Sequence, residues 1–256
     1  MSPVGAIVRK ELRSYFVSPI AYVVAAVFLL LIGLLTYLAV LTAGNRSLQM
    51  LSIQGNLPEL NVNELVFRPV FYNMAVLLLL IIPILTMRLF AEEKKLKTME
   101  LLLTSPVTVT DIVAGKFIAA LTVFAGMLVL SAAAPAALAP FAEFQWMPIL
   151  TAYLGVLLLG GLFLSTGLLA SGLTENQIIA VMLSFGALLL LWLLGWAGQL
   201  LSETVLGKVL LYLSPLDHFE NLVKWLVETK DLVYFVAGIA FSLFLTHRVI
   251  DSQRWR

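Results

Sequence analysis

Six apolar runs set the plan of this chain, each near the roughly 20 residues that a helix needs to cross a bilayer core. They cover Ile20–Leu41, Val70–Leu89, Ile112–Leu138, Ile149–Ala170, Ile178–Ala197 and Leu232–Ile250. Asn73 and Pro83 interrupt the second run. Pro83 removes a backbone donor and crowds the preceding turn, so this span is expected to kink. Asn73 lies near one end of its span and reads as a helix–helix hydrogen-bonding residue rather than a ligand. Lys116 sits one turn inside the third run, from where it can snorkel to the interface. The pattern predicts an all-α polytopic membrane protein. With no fixed-period repeat and no low-complexity linker, residues 1–256 form a single membrane domain: 1–19 before the first span, the bundle over 20–250, a charged loop at 88–111 and a polar-apolar segment at 199–231.

The segment before the first span is amphipathic. Val4, Ile7, Val8, Leu12, Tyr15 and Phe16 share one side of a helical wheel, while Arg9, Lys10 and Arg13 share the other. This predicts a helix lying flat at the membrane surface. Ser18-Pro19 then turns the chain into the bilayer, because a residue before proline avoids the helical region. Glu11 falls at the edge of the apolar arc. It either reaches water or pairs with a base of the Arg88–Lys97 loop.

That loop holds the densest charge in the chain, Arg88-Leu89-Phe90-Ala91-Glu92-Glu93-Lys94-Lys95-Leu96-Lys97. Glu93 and Lys97 stand four apart in the favourable helical order, so the second helix should continue past the bilayer. Thr98 can cap a short helix from Met99 to Thr104 that presents Leu101, Leu102 and Leu103, with Ser105-Pro106 as its stop. Thr108-x-x-Asp111 has the form of a capping box for the third span. A short greasy helix at the membrane face needs a cover, from lipid or from a groove in a partner. The other loop on this side, Leu173-Thr174-Glu175-Asn176-Gln177, is short and polar, with Thr174 as a cap candidate.

On the opposite side, Gln199–Asp231 is too polar to span and too apolar to float. Val205, Leu206, Val209, Leu210 and Leu211 make one apolar patch; Phe219, Leu222, Val223, Trp225 and Leu226 make another, with Ser214-Pro215 between them. Two short helices are expected there, with Asp217 capping one that begins at His218. Small residues recur four apart at Gly161/Ser165, Gly167/Ser171 and Ala180/Ser184, a spacing that permits close helix packing within the subunit.

Composition sharpens this picture. Of the 256 residues, 61% are hydrophobic and 12% charged, about half the charge of a soluble domain. A net charge of +1 gives no basic face for nucleic acid. With no cysteine, thiolate chemistry and Cys-based metal sites are excluded. No removable signal peptide is expected at the N-terminus. The Walker pattern fails at Gly115-Lys116-Phe117 and at Gly207-Lys208, and there is no H-E-x-x-H and no G-x-S-x-G. No catalytic, cofactor-binding or metal site emerges, and if the chain moves something, the energy is expected to come from outside it. Ten Lys and Arg fall on the side of the termini and five on the other. The positive-inside rule therefore places both termini in the cytoplasm.

Lys10-Glu11 with Tyr15-Phe16, six spans, and Glu92-Glu93-Lys94-Lys95 followed by Thr98, Glu100-Leu101-Leu102-Leu103-Thr104-Ser105-Pro106 resemble the permease subunit of ABC-2 type transporters. The chain is similar over its whole length to the gliding-motility-associated (GldF-type) branch. Ser18–Val23, Thr86–Lys94, Gly115-Lys116-Phe117, Leu173–Ile179 and Tyr212–Asn221 carry that likeness. The resemblance implies a multi-pass protein of a bacterial inner membrane. It implies a partnership with ABC ATP-binding subunits that carry the ATP and Mg, with a second permease copy or a sister permease, and with an auxiliary membrane protein. It makes the N-terminal helix, with Arg9, Lys10, Glu11 and Arg13, the elbow helix. Glu92, Glu93, Lys94, Lys97, Met99, Glu100, Leu101 and Leu102 become the coupling helix, with Glu175 and Asn176 as a second contact. Lys97 stands where many relatives carry glycine, which implies a softer helix break there. The implied activity is ATP-driven movement of a substrate, as an exporter. The alternative is a membrane anchor that transmits the ATPase's force to an envelope assembly and moves no solute.

Overall fold

The computed structural model describes residues 2–54, 61–100 and 107–253, and every regular element among them is a helix. In chain order these are α1 (Pro3–Val17), α2 (Pro19–Gln54), a π turn (Asn63–Phe67), α3 (Arg68–Thr86), α4 (Arg88–Lys95), α5 (Val109–Ser131), α6 (Ala133–Leu138), α7 (Trp146–Leu173), α8 (Gln177–Leu200), α9 (Val205–Leu213), α10 (Pro215–Val223) and α11 (Thr229–Gln253). Six stretches are long and apolar enough to cross a membrane: Pro19–Gln49, Asn63–Lys95, Val109–Leu138, Trp146–Leu173, Gln177–Leu200 and Thr229–Gln253. Each contains one predicted run.

Local chemistry sets the boundaries. Ser2 caps α1 through Gly5 N at 3.3 Å, with Pro3 at the first helical position. Ser18 is extended, at φ −80° and ψ 128°, and separates α1 from α2 as the Ser-Pro pair predicts. Thr108 and Asp111 close the expected capping box, with Asp111 N donating to Thr108 Oγ1 at 3.1 Å and Thr108 N to Asp111 Oδ2 at 3.0 Å. Three boundaries differ from expectation. Asn176, not Thr174, caps α8, accepting from Ile178 N at 2.9 Å. Asp217 lies in the first turn of α10, which starts at Pro215 after Ser214, so it does not cap a helix at His218. The helix of the first span, α2, runs far past Leu41 to Gln54, 36 residues in all.

The second and fourth spans form the centre of the bundle, 67% and 56% buried over their most apolar windows, against 28% for the first and 22% for the fifth and sixth. In lipid, helices gain little from hiding apolar surface from one another, so close backbone approach and dispersion hold them together. Gly167 shows this: a Cβ there would stand 2.3 Å from Thr86 Oγ1 and 3.0 Å from Ser184 Oγ. Ser165, Ser171, Ala180 and Ser184 are all buried, so the small-residue pairs pack within the subunit.

The 199–231 segment forms the two predicted short helices. Phe219, Leu222 and Val223 of α10 are buried, whereas Val205, Leu206 and Val209 of α9 face outward with Trp225 and Leu226. A buried polar clasp ties α10 to the last span. His218 Nδ1 lies 2.6 Å from Asp231 Oδ1, its Nε2 lies 2.9 Å from Tyr212 O, and Tyr234 stacks on the ring at 4.0 Å. Both ring nitrogens face oxygen acceptors, so the His218–Asp231 contact shares one proton.

Candidate functional site

The chain's two ends and both short loops gather at one end of the bundle. Gln253 Nε2 donates to Gly172 O at 3.3 Å, Lys94 Nζ donates to the same carbonyl, and Lys10 reaches Glu93. The sequence places these residues in four separate stretches; the fold makes them one face.

At its centre is a four-residue ion cluster. Lys116 Nζ lies 2.9 Å from Glu11 Oε1 and 3.0 Å from Glu93 Oε2. Lys10 Nζ lies 2.7 Å from Glu93 Oε1 and 3.7 Å from Glu11 Oε1. The Lys116 side chain is 1% exposed, and its ammonium also sits 5.2 Å from the Phe90 ring centroid. Two expectations are corrected. Lys116 does not snorkel, because two carboxylates are brought to it inside the protein. Glu11 neither reaches water nor pairs with a base of the Arg88–Lys97 loop; it is 8% exposed and pairs with Lys116 and Lys10.

α1 is accordingly seated in the bundle. Ile7, Glu11 and Tyr15 form its buried stripe, so Glu11 lies in the middle of the inward face rather than at its edge. Gly115 lets α1 approach α5, since a Cβ there would come 2.7 Å from Ile7 Cγ2. Tyr15 donates to Leu85 O at 2.8 Å, and the Arg88 guanidinium lies 4.6 Å from its ring centroid. Burial pushes the Tyr15 phenol well above its usual pKa. For Lys10, burial opposes the charge, but the hydrogen bond and charge of Glu93, with Glu11 behind them, hold its pKa above the ordinary 10.5. A raised lysine contributes stability fully below its unfolded value and loses it as pH rises through the folded one, so this contact is intact at neutral pH.

The helix of the second span is interrupted at Met87, just before the loop. Ser171 Oγ of α7 accepts from Phe90 N at 3.0 Å and Ala91 N at 3.1 Å, and donates to Met87 O at 2.9 Å. The hydroxyl is inserted into the rung that would join Ala91 N to Met87 O, and the helix divides there into α3 and α4. Pro83, one turn earlier, lies inside α3, which runs through it to Thr86. α4 continues to Lys95 as expected, but Glu93 turns to Lys10 and Lys116 rather than to Lys97.

Lys97 ends α4 in the left-handed region at φ 56°. Thr98 N donates to Glu93 O at 2.9 Å and Lys97 N to Lys94 O at 3.0 Å, the paired bonds of a Schellman motif. The break is therefore complete despite the absence of glycine, which corrects the softer break expected there. Of the residues assigned to partner docking, Lys97, Glu100, Glu175 and Asn176 are exposed, and Glu92 is half-buried. Glu93 is held in the ion cluster, Lys94 on Gly172 O, and Met99 is 6% exposed in the chain's own core. Leu101 and Leu102, with the rest of the expected short helix to Thr104, lie outside the described residues. Of the residues expected to form an elbow helix, Arg9 and Arg13 are exposed. Sequence reasoning missed Ser171 and Lys116 as parts of this face; the Gly167/Ser171 pair was the available signal for the first.

Among the described residues no cluster of His, Cys, Asp or Glu could hold a metal ion. Six apolar helices long enough to cross a bilayer, with a charge-locked face at one end, define a multi-pass membrane protein. The family model of the ABC-2 family transporter protein matches residues 5–249, nearly the whole chain. The chain belongs to this family and is a transmembrane permease of an ABC transporter. No curated protein matches it.

Proposed function

We propose that this permease couples ATP hydrolysis on a separate ABC subunit to the export of a substrate, with its terminus-bearing face in the cytoplasm of a bacterial cell. The ATPase would seat on the exposed part of the 92–104 loop and on Glu175 and Asn176. The gliding-motility-associated branch is the placement that the quoted motifs support. One observation carries the coupling: Lys116 joins α1, α4 and α5 through Glu11 and Glu93, while Ser171 joins α4 to α7. A push on the loop therefore reaches four elements at once. A pair of permeases is supported by the apolar faces that the first and fifth spans leave open, among them Val27, Leu30, Leu34 and Tyr37 of α2 and Met182 and Leu190 of α8.

The test is co-expression with the ABC ATPase encoded beside this chain, followed by co-purification and ATPase assay in nanodiscs. A complex with the native chain, lost on Glu100→Lys with Leu102→Asp, supports the reading. A folded native chain that recruits no ATPase sinks it.

A further inference from the structure

Where the first and fifth spans begin, on the side of the termini, a cavity of about 340 Å³ opens between the end of α1, the start of α2, α4 and the start of α8. Arg88 and Glu92 of α4 both line it. They stand four apart on one helix, within reach of each other. Even so, they form no salt bridge, and neither side chain is hydrogen-bonded to a described residue. Arg9, Arg13, Lys95 and Lys97 on the same face are exposed, and water serves them. Arg88 and Glu92 are half-buried, so that remedy is curtailed and an absent counter-charge costs more. Arg88 is also held in place. Its guanidinium lies 4.6 Å from the Tyr15 ring centroid, that ring is tied to Leu85 O, and the Arg88 Nη2 is buried with no acceptor. A guanidinium stacked on a ring keeps its N–H edge for an acceptor, and this chain supplies none.

Two opposite charges held apart across one cavity choose the ligand. A lone anion would be drawn by Arg88 and repelled by Glu92, and a lone cation the reverse. A zwitterion that carries a phosphate and an ammonium meets both. Ser14 and Gln177, in the same wall, add a hydroxyl and an amide for the remaining phosphate oxygens. The ammonium is a primary one, which donates to a carboxylate; a quaternary one is held by aromatic faces, and the Tyr15 ring is already taken by Arg88. Location names the source. Val17 and Ile20 line the cavity at 76% and 43% exposed, and Ile178, beside Gln177, is 74% exposed. These apolar side chains sit where two spans begin, so they face acyl chains, and the charges above them stand at headgroup depth. The volume, at the low end of the roughly 300–1,000 Å³ of small-molecule sites, suits a headgroup whose tails stay outside. We propose that this cavity binds the headgroup of a phosphatidylethanolamine molecule of the surrounding leaflet, its phosphate on Arg88 and its ammonium on Glu92. The assignment goes beyond the permease reading and needs only that the six spans cross a bilayer.

The full chain in detergent is mixed with equal amounts of dioleoyl phosphatidylethanolamine, phosphatidylcholine and phosphatidylglycerol, and native mass spectrometry counts the lipid retained. One phosphatidylethanolamine is expected, preferred tenfold or more over each of the others. Glu92→Gln removes the partner of the ammonium and should bring the preference over phosphatidylglycerol down to parity or below. Arg88→Gln should lose the retained lipid altogether; if that variant does not fold, the Glu92→Gln result decides alone. Equal retention of the three lipids by the native chain overturns the proposal. So does an unchanged preference in Glu92→Gln, and if that variant also fails to recruit the ATPase, the cavity is a protein contact instead. Displacement of the lipid by an equal concentration of O-phosphoethanolamine would make the free compound the occupant and overturn the lipid assignment.

Discussion

Lys116 is an ammonium inside a membrane-spanning helix, tolerable because two carboxylates and an aromatic ring surround it. Breaking a buried pair by removing one partner is far costlier than replacing the pair with apolar groups. Lys116→Met should therefore destabilise the chain by about 3–5 kcal/mol, and Glu11→Leu added to it should recover part of that loss. Thermal unfolding of the two singles and the double in detergent measures this; additive losses would mean that the residues do not interact. Asp231→Leu should likewise cost about 3–5 kcal/mol by stranding His218, seen as a lower unfolding temperature with α10 opened to proteolysis. Lys97 carries the opposite lesson. A left-handed non-glycine residue is strained by about 1–2 kcal/mol, and Lys97 is exposed. Lys97→Gly should stabilise the chain by roughly 0.5–1 kcal/mol after glycine's entropic penalty; a fall in unfolding temperature would refute the strain.

At the scale of elements, the spans were legible because a 20-residue apolar run has one use in a bilayer. The Thr108–Asp111 box and the Ser18-Pro19 turn were legible because their chemistry is local. The ion cluster was not, since Glu11 and Lys116 are 105 residues apart and nothing local pairs them. Nor was the π turn at Asn63–Phe67, whose i→i+5 bonding leaves no mark on hydrophobic periodicity. The Ser171 hydroxyl inserted in the second span is the element-level device to test. Ser171→Ala removes the bridge and lets Ala91 N bond Met87 O directly, straightening the α3–α4 joint. Retained folding, with ATP turnover no longer matched by transport, is expected. Unchanged coupling between the two would show that the joint is passive.

For the whole molecule, uneven burial is the guide: a well-packed centre of α3 and α7 is flanked by a first span with a continuous exposed apolar face. A pair of permeases would bury that face. The native chain has no cysteine, so single substitutions along α2 report contacts without background. Val27→Cys, Leu34→Cys and Leu38→Cys should cross-link two copies under mild oxidation, while a cysteine at core-facing Phe28 should not. Equal cross-linking at every position would indicate random collision instead.

The ion cluster also fixes an order of assembly. Lys10 and Glu11 leave the ribosome early, whereas Lys116 follows about a hundred residues later, after two spans have been threaded. Until then the carboxylate of Glu11 has no permanent home, and the α1 helix can only wait at the bilayer edge. When the third span arrives, its ammonium draws α1 in beside the Glu93 carboxylate and completes the fold around it. The N-terminal helix is in this sense the last piece fitted, although it is made first. A chain that lacks the residues through Glu11 would insert its spans and yet leave the buried Lys116 with one carboxylate, Glu93, in place of two, a natural substrate for membrane quality-control proteases.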